Sequence, residues 1–367
     1  MATYKGTHGT KIQNYTSDPA NPLVGEVWYN ATTNTLKVNA GTLIGSWSTA
    51  NDLNTARWKG AGAGSQDAAL YFGGGYGVVA NTELYNGTNW TELNDLGTAK
   101  YTHGGAGTST AALAFGGYAS SITALTEKWN GSNWTEVNDL NTARYKIAGC
   151  GLQTSALAFG GSTNPSTFTA LTEAYNGTNW TEVNDLNAAR HFIAGIGNIN
   201  TAAIAAGGNT SNDTGTVNTE LWNGTNWTEV NNLNVARQKI GSVGISTAAL
   251  AFGGNPTPAD TELWNGTNWT EVNDMNTGRD SLAGAGISTA ALAFGGENPS
   301  FSELSETESY NGTNWTEIAN LNTARNNLAG SGTQTAALAF GGQNPPPKSF
   351  TEEFSTSALK VKTIGTS

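Results

Sequence analysis

The stretch TELWNGTNWTEVNNLNVARQKIGSVGISTAALAFGG, from Thr219 to Gly254, decides how this chain folds, because versions of it recur along most of the sequence. Its tryptophan belongs to a series, Trp47, Trp90, Trp134, Trp180, Trp227, Trp269 and Trp315, spaced by 43, 44, 46, 47, 42 and 46 residues. Ten positions after each comes a basic residue: Arg57, Lys100, Arg144, Arg190, Arg237, Arg279 and Arg325. A fixed period of about 40–50 residues marks the blades of a β-propeller, each a small sheet unable to bury its own faces. Seven such units are present.

One unit divides into four short strands. Strand a is the Gly/Ala-rich piece after the basic residue, as in Lys146 to Gly151, and strand b is the ALAF run before a Gly-Gly pair. Small residues suit strands that converge on a central shaft, where bulky side chains would collide. Strand c is TELW or a variant, and strand d starts at the repeated Trp. The Asn-Gly between c and d predicts a two-residue hairpin with positive φ at both turn positions. That register would pair Tyr85 with Thr88 and set Glu83 opposite Trp90, with Glu83, Tyr85 and Trp90 on one face, in six blades.

A repeat must solve one packing problem many times, so its residues are read first as structure. The tryptophans are expected to wedge between blades and donate their N–H to backbone carbonyls. The basic ring is expected to pair with the equally repeated Glu83, Glu127, Glu173, Glu220, Glu262, Glu308 and Glu352, or with loop carbonyls; a ligand-binding arginine ring is the alternative. Seven a–b pairs face eight candidate c–d pairs, because Leu36 to Thr49 and Thr351 to Thr363 both fit that part. The C-terminal piece, with Leu359 in the Trp place, completes the last blade, or Trp47 supplies its outer strand and seals the ring. The expected division is an N-terminal arm over 1–34, a possible docking segment, and a propeller over 35–367 with both termini near the closing blade.

Composition narrows the function. Charged residues make up only 12% of the chain and glycines number 47, which favours short strands and turns, an all-β class. The formal charge of −11, without a basic patch, argues against nucleic acid. The single Cys150 has no intramolecular partner, so the core must suffice. The sequence shows no secretory signal and no apolar run approaching a membrane span, so synthesis in the cytoplasm without membrane insertion is expected.

The residues now carry a likeness. Phe115-Gly116-Gly117, Trp129, Trp134, Leu140 and Arg144 resemble the kelch motif, and the match runs from Trp47 to about Thr363. The resemblance implies four-stranded antiparallel blades around a channel. It departs in its short Asn-Gly hairpin and in Asn-Thr-Ala before the Arg. The wording NGTNWTEVNDLNTAR with TAALAFGG resembles repeats in large proteins of tailed phages, especially those of marine hosts. Gly25 to Asn30 with Thr33 to Val38 is similar to a short β-motif of phage tail-fibre and appendage proteins. These likenesses imply a virion structural protein, a tail-fibre or appendage component, located in the particle. Its arm would contact other virion proteins, and its propeller would bind a host-surface glycan or protein, with self-association possible.

Catalysis needs an asymmetric set of groups, and most polar residues here repeat. His8, His103 and His191 show no ligand spacing, so no metal and no cofactor is expected. Cys150 with three histidines does not fit the copper oxidases built on kelch blades. The repeated Asn-Asp of the linkers reads as turn formation and not as a calcium loop. The Asn-x-Thr triplets read as hairpin residues. No enzyme is expected; a purely architectural particle protein and a glycan-active enzyme are the alternatives. Function is sought where the repeat varies, in the b–c loops, whose exposed-looking aromatics Tyr76, Tyr118, Phe168, Phe301 and Phe350 are the candidate ligand-binding residues.

Overall fold

The protein is described by a computed structural model covering residues 12–19, 26–39, 45–75, 77–211, 214–256, 259–356 and 361–363. The described residues form strands and no helix. They fall into two compact units, Met1–Ser46 with Ser355–Ser367, and Trp47–Phe354. The division thus falls at Trp47, and the described residues 35–39 and 361–363 group apart from the repeats.

The larger unit is built from seven four-stranded antiparallel sheets among the described residues. One of them runs outward from Gly104–Thr108 through Ala111–Phe115 and Thr126–Trp129 to Trp134–Val137. The innermost strands meet side by side: Ala61–Gly64, Gly104–Thr108, Ala148–Leu152, Ala194–Ile199, Gly241–Ile245, Ala283–Ile287 and Ala329–Thr333, the last returning to the first. That closed cycle explains why strand a is made of small residues. A Cβ on Gly149 would sit 2.6 Å from Cζ of Phe115 in the preceding blade, and one on Gly105 would sit 2.8 Å from the Ala61 Cβ. Gly149→Val is therefore expected to cost roughly 1–3 kcal/mol through overpacking, read as a lowered denaturation midpoint.

The c–d register differs from the expected one by two residues. Tyr85 pairs with Trp90 and Glu83 with Glu92, so the turn holds four residues, Asn86 to Asn89. Only Gly87 of the Asn-Gly pair has positive φ, +85°. The reason is the Asn86 side chain, whose Oδ1 accepts from the backbone N–H of Thr88 at 3.0 Å and of Asn89 at 2.8 Å. This Asx-type closure competes with the tighter hairpin. Since a slip of two preserves the facing of side chains, Glu83, Tyr85 and Trp90 still share a face.

The repeated indoles do wedge between blades, but their N–H groups go elsewhere than expected. Trp134 lies 4.9 Å from the Phe72 ring and donates Nε1–H to Thr82 Oγ1 at 2.8 Å, both in the preceding blade. Trp90 treats Phe340 and Thr351 in the same way, and Trp180 treats Phe115 and Thr126. The acceptor is the threonine that opens strand c, which explains its recurrence. The indoles that do donate to backbone carbonyls are the strand-c ones, Trp129 to Ser109, Trp222 to Asn200 and Trp264 to Ser246.

Every basic residue of the ring pairs with the glutamate of its own blade. Arg144 Nη2 stands 3.0 Å from Glu173 Oε1, Arg237 Nη2 2.8 Å from Glu262, and Lys100 Nζ 3.2 Å from Glu127, with all these side chains at most 4% exposed. The other carboxylate oxygen of Glu173 accepts from Asn141 N at 2.7 Å and Asn141 Nδ2 at 2.8 Å. Each pair thus ties the d–a linker to strand c. Buried on both sides, the guanidinium groups present no open face to a ligand.

The strands Ala329–Thr333, Ala336–Phe340 and Thr351–Thr356 take Gly45–Thr49 as their outer fourth strand. Trp47 therefore closes the ring, donating Nε1–H to Thr307 Oγ1 at 2.9 Å like its counterparts. The C-terminal piece supplies strand c but no strand d. Val361–Thr363 pairs instead with Thr35–Asn39, the strand that holds Leu36. Leu359 lies outside the described residues.

In the smaller unit, Val27–Asn30 and Thr35–Asn39 form an antiparallel hairpin, and Gln13–Tyr15 runs parallel to the first. Asp18 Oδ1 accepts from Trp28 Nε1 at 3.0 Å and Asn30 Nδ2 at 2.8 Å, and its Oδ2 meets Lys37 Nζ at 2.7 Å. These hydrogen bonds, that of Lys37 foremost, hold the Asp18 carboxyl down at about 2.

Candidate functional site

The two ends of the ring differ in what they carry. At one end the a–b turns lie beside the c–d turns, as where a Gly177 Cβ would approach Thr154 O at 3.2 Å. At the other, linkers ending in the repeated basic residue meet the b–c loops. There Gly117 N donates to Arg144 O at 2.8 Å, with φ of +62° at Gly116 and +102° at Gly117, a bend that only glycines make without strain.

The variation in the chain collects at this second end. Of the three residues between the repeated basic residue and the repeated small strand, the first two change most from blade to blade: Trp58-Lys59, Tyr101-Thr102, Tyr145-Lys146, His191-Phe192, Gln238-Lys239, Asp280-Ser281 and Asn326-Asn327. The first of each pair bridges to the residue after Gly-Gly, as in Tyr101 to Tyr118, His191 to Asn209 and Asp280 to Glu297. The second is left-handed in all seven blades, with φ from 48° at Asn327 to 54° at Lys59 and Ser281. Glycine is the default there, yet none of the seven is glycine. For a branched Thr102 or a bulky Phe192 this conformation is a true outlier costing about 1–3 kcal/mol, and such strain collects at functional sites.

A cavity of about 490 Å³ opens at this end, lined by Trp58, Lys59, Phe192, Lys239, Ser281, Glu297 and Asn327 among others. These come from blades on opposite sides of the ring, so the cavity is the mouth of the central channel. Lys59 Nζ rests 3.9 Å over the Trp58 ring, and Lys146 Nζ 4.6 Å over that of Phe192. Lys239 Nζ stands 3.7 Å from Asp280 Oδ1 and 3.9 Å from Glu297 Oε1. Ser281 Oγ donates to Asp280 at 2.7 Å, and Asn326 Nδ2 donates to Glu297. Burial first, then the Asp280 charge, raises the Glu297 carboxyl. This carboxyl pair stands outside the repeat.

The candidate aromatics of the b–c loops divide. Tyr118 is half-buried, with Tyr101 at 5.5 Å and Tyr145 at 6.1 Å, so it belongs to an aromatic cluster on this end of the ring and not to an exposed loop. Phe168 stacks on His191 at 4.1 Å. Phe350 is half-buried, with Lys348 Nζ 5.9 Å over its ring. Phe301 is 75% exposed. Tyr76 and His8 lie outside the described residues. The two-residue variable positions escaped a reading of loops because they sit inside the most repetitive part of the unit. Their signal was the change of dipeptide between constant flanks.

His103 is buried, with Nδ1 at 3.1 Å from Gly104 O and Nε2 at 3.3 Å from Phe72 O. Burial, helped by the nearby Lys100 charge, lowers its pKa from the ordinary 6.5 to about 4. A depressed histidine stabilises the fold fully above its unfolded pKa and loses that contribution as pH falls towards the folded one. Between about pH 6.5 and 4 the chain is expected to lose roughly 3 kcal/mol on this account. His103→Gln should flatten that part of the stability curve, measured by denaturant titration across the range. His191 Nδ1 sits 2.8 Å from Ser162 Oγ. Cys150 is buried, which pushes its thiol up to about 12. Among the described residues no three His, Cys, Asp or Glu side chains gather as a metal site would require.

Small inner strands, interblade tryptophans and a closed ring of sheets around a mouth define a β-propeller protein. No family model and no curated protein matches the chain. Among solved structures it is similar to YjhT, with a TM-score of 0.58 and 12% identity, covering 74% of this chain and 99% of that one. Likeness at this identity concerns the fold alone.

Proposed function

We propose that this chain is a non-enzymatic component of a tailed-phage particle, a tail-fibre or appendage protein whose propeller binds a host-surface glycan or protein through the channel mouth. The observation that supports this best is the gathering of varied, strained and aromatic side chains at one end of an otherwise repetitive ring. Repetition meets the needs of folding, so residues that depart from it are where recognition would be encoded. The hairpin of the smaller unit would serve assembly with other particle proteins. Mass spectrometry of purified particles of the encoding phage tests the location, and absence of the chain overturns the reading. Host-cell binding by the whole protein that persists after Tyr118→Ala and Phe168→Ala would move the interface away from those rings. Failure to bind any host surface would leave an architectural role.

A second reading, a glycan-active enzyme, draws on the Asp280 and Glu297 carboxyls. Glycoside hydrolysis needs two carboxyls flanking a bond, about 5 Å apart or more; here one serine hydroxyl bonds both, at 2.7 and 3.5 Å, and the carboxyls hydrogen-bond each other, so their contact counts against this reading. Release of sugar from host polysaccharide, abolished by Glu297→Gln, would establish that activity.

A further inference from the structure

Three lysines of an acidic protein converge on the channel mouth, and they are not in the same state. Lys239 is compensated by Asp280 and Glu297. No carboxylate stands within ion-pair distance of Lys59 among the described residues, whose only cation contact is the face of Trp58. Lys59 and Lys239 line one cavity, and Lys146 rests on Phe192, which lines it too. The wall otherwise mixes apolar Ile240 and Leu328 with the hydroxyl and amides of Ser281, Asn327 and Gln343. An ammonium held in a half-buried pocket beside like charges is costly unless an anion joins it.

We propose that the channel mouth binds an acidic sugar, with the anionic group received by Lys59 and the ring lying among Phe192, Ser281 and Asn327. The inference rests on the binding reading above and names its ligand class. A cavity of about 490 Å³ holds a small saccharide, and few polar groups on an apolar wall suit a hydroxylated ring. A compact charge is matched by lysine, which acts as a point donor. The pocket also carries its own pH response. Burial foremost, then the charges of Lys239 and Lys146, lowers Lys59 to about 8, with Glu297 acting in the opposite sense, while Asp280 pairs with Lys239. Since the ammonium is the binding form, affinity falls as pH rises through that value.

The test is calorimetric titration of the whole protein with glucuronate, glucose and inorganic phosphate. Glucuronate should bind, with glucose and phosphate each about tenfold weaker or more. Lys59→Met should lose about tenfold or more in affinity, while Lys128→Met, in strand c of another blade, retains it. The unmodified protein should bind more weakly at about pH 9 than at 7, a readout that needs no variant. Equal binding of glucose, equal binding of bare phosphate, unchanged affinity in Lys59→Met or no binding at all would overturn the proposal. Glucuronate binding by a chain absent from particles would overturn only the virion reading. Particle association and host-cell binding without glucuronate binding would overturn only the ligand class.

Discussion

Arg144→Met is expected to lower the stability of the propeller by roughly 3–5 kcal/mol, because it strands a charge in the interior. Glu173 is 1% exposed and holds Arg144 Nη2 at 3.0 Å, so without the guanidinium its carboxylate keeps only the Asn141 donors. The same guanidinium donates to Gly160 O at 3.1 Å and to Leu171 O, so the carbonyls closing strand b and opening strand c also lose a partner. The pair itself is not a net source of that energy. Two apolar groups of similar size can replace a buried ion pair at little cost, and breaking it from one side is what destabilises. Arg144→Met with Glu173→Leu should therefore recover part of the loss, and only part, since Asn141 N–H then lacks its acceptor. Denaturant midpoints of the two single variants and the double decide the matter. A single variant within about 1 kcal/mol of the parent would show that the pair is not isolated from solvent as its burial indicates.

The sequence carried most of this frame because the blade's needs are repeated. A tryptophan, a basic residue and a glutamate at constant spacing are each legible as packing and pairing, and Arg144 with Glu173 is what that reading expected. Finer geometry was less legible. The Asn-Gly signal favours a two-residue turn, and nothing in the dipeptide tells that the Asn86 side chain closes a four-residue loop instead. The indole acceptors were missed because a threonine opening strand c looks like an ordinary β-former. Closure was half legible: Trp47 fits the outer place, but the pairing of Val361–Thr363 with Thr35–Asn39 is a contact between distant segments that no local pattern records. The site was least legible. His191-Phe192 or Trp58-Lys59 means little alone, and only the ring places such pairs around one cavity.

Ring closure supplies the second large effect. Trp47→Ala removes an indole packed 5.0 Å from Phe294 and 5.3 Å from Phe354, together with its bond to Thr307, a loss of about 3–5 kcal/mol. Trp134→Ala removes an equivalent indole, 4.9 Å from Phe72 and bonded to Thr82, and the local cost should match. The consequences differ because of chain connection. Trp134 stands in a strand that follows its own sheet partner within a few residues, so local loosening leaves it close by. Trp47 stands in Gly45–Thr49, whose partner Thr351–Thr356 lies about 300 residues away, and loop closure over that distance must be regained whenever the strand leaves. Departure also bares an unpaired edge on Thr351–Thr356, a template for pairing with another chain. Trp47→Ala should therefore be cut rapidly by protease near Thr49 to Asn51 and should associate as concentration rises, while Trp134→Ala at equal stability does neither. Equal protease resistance and equal monomer content in the two variants would mean that the outer strand is not what holds the ring shut.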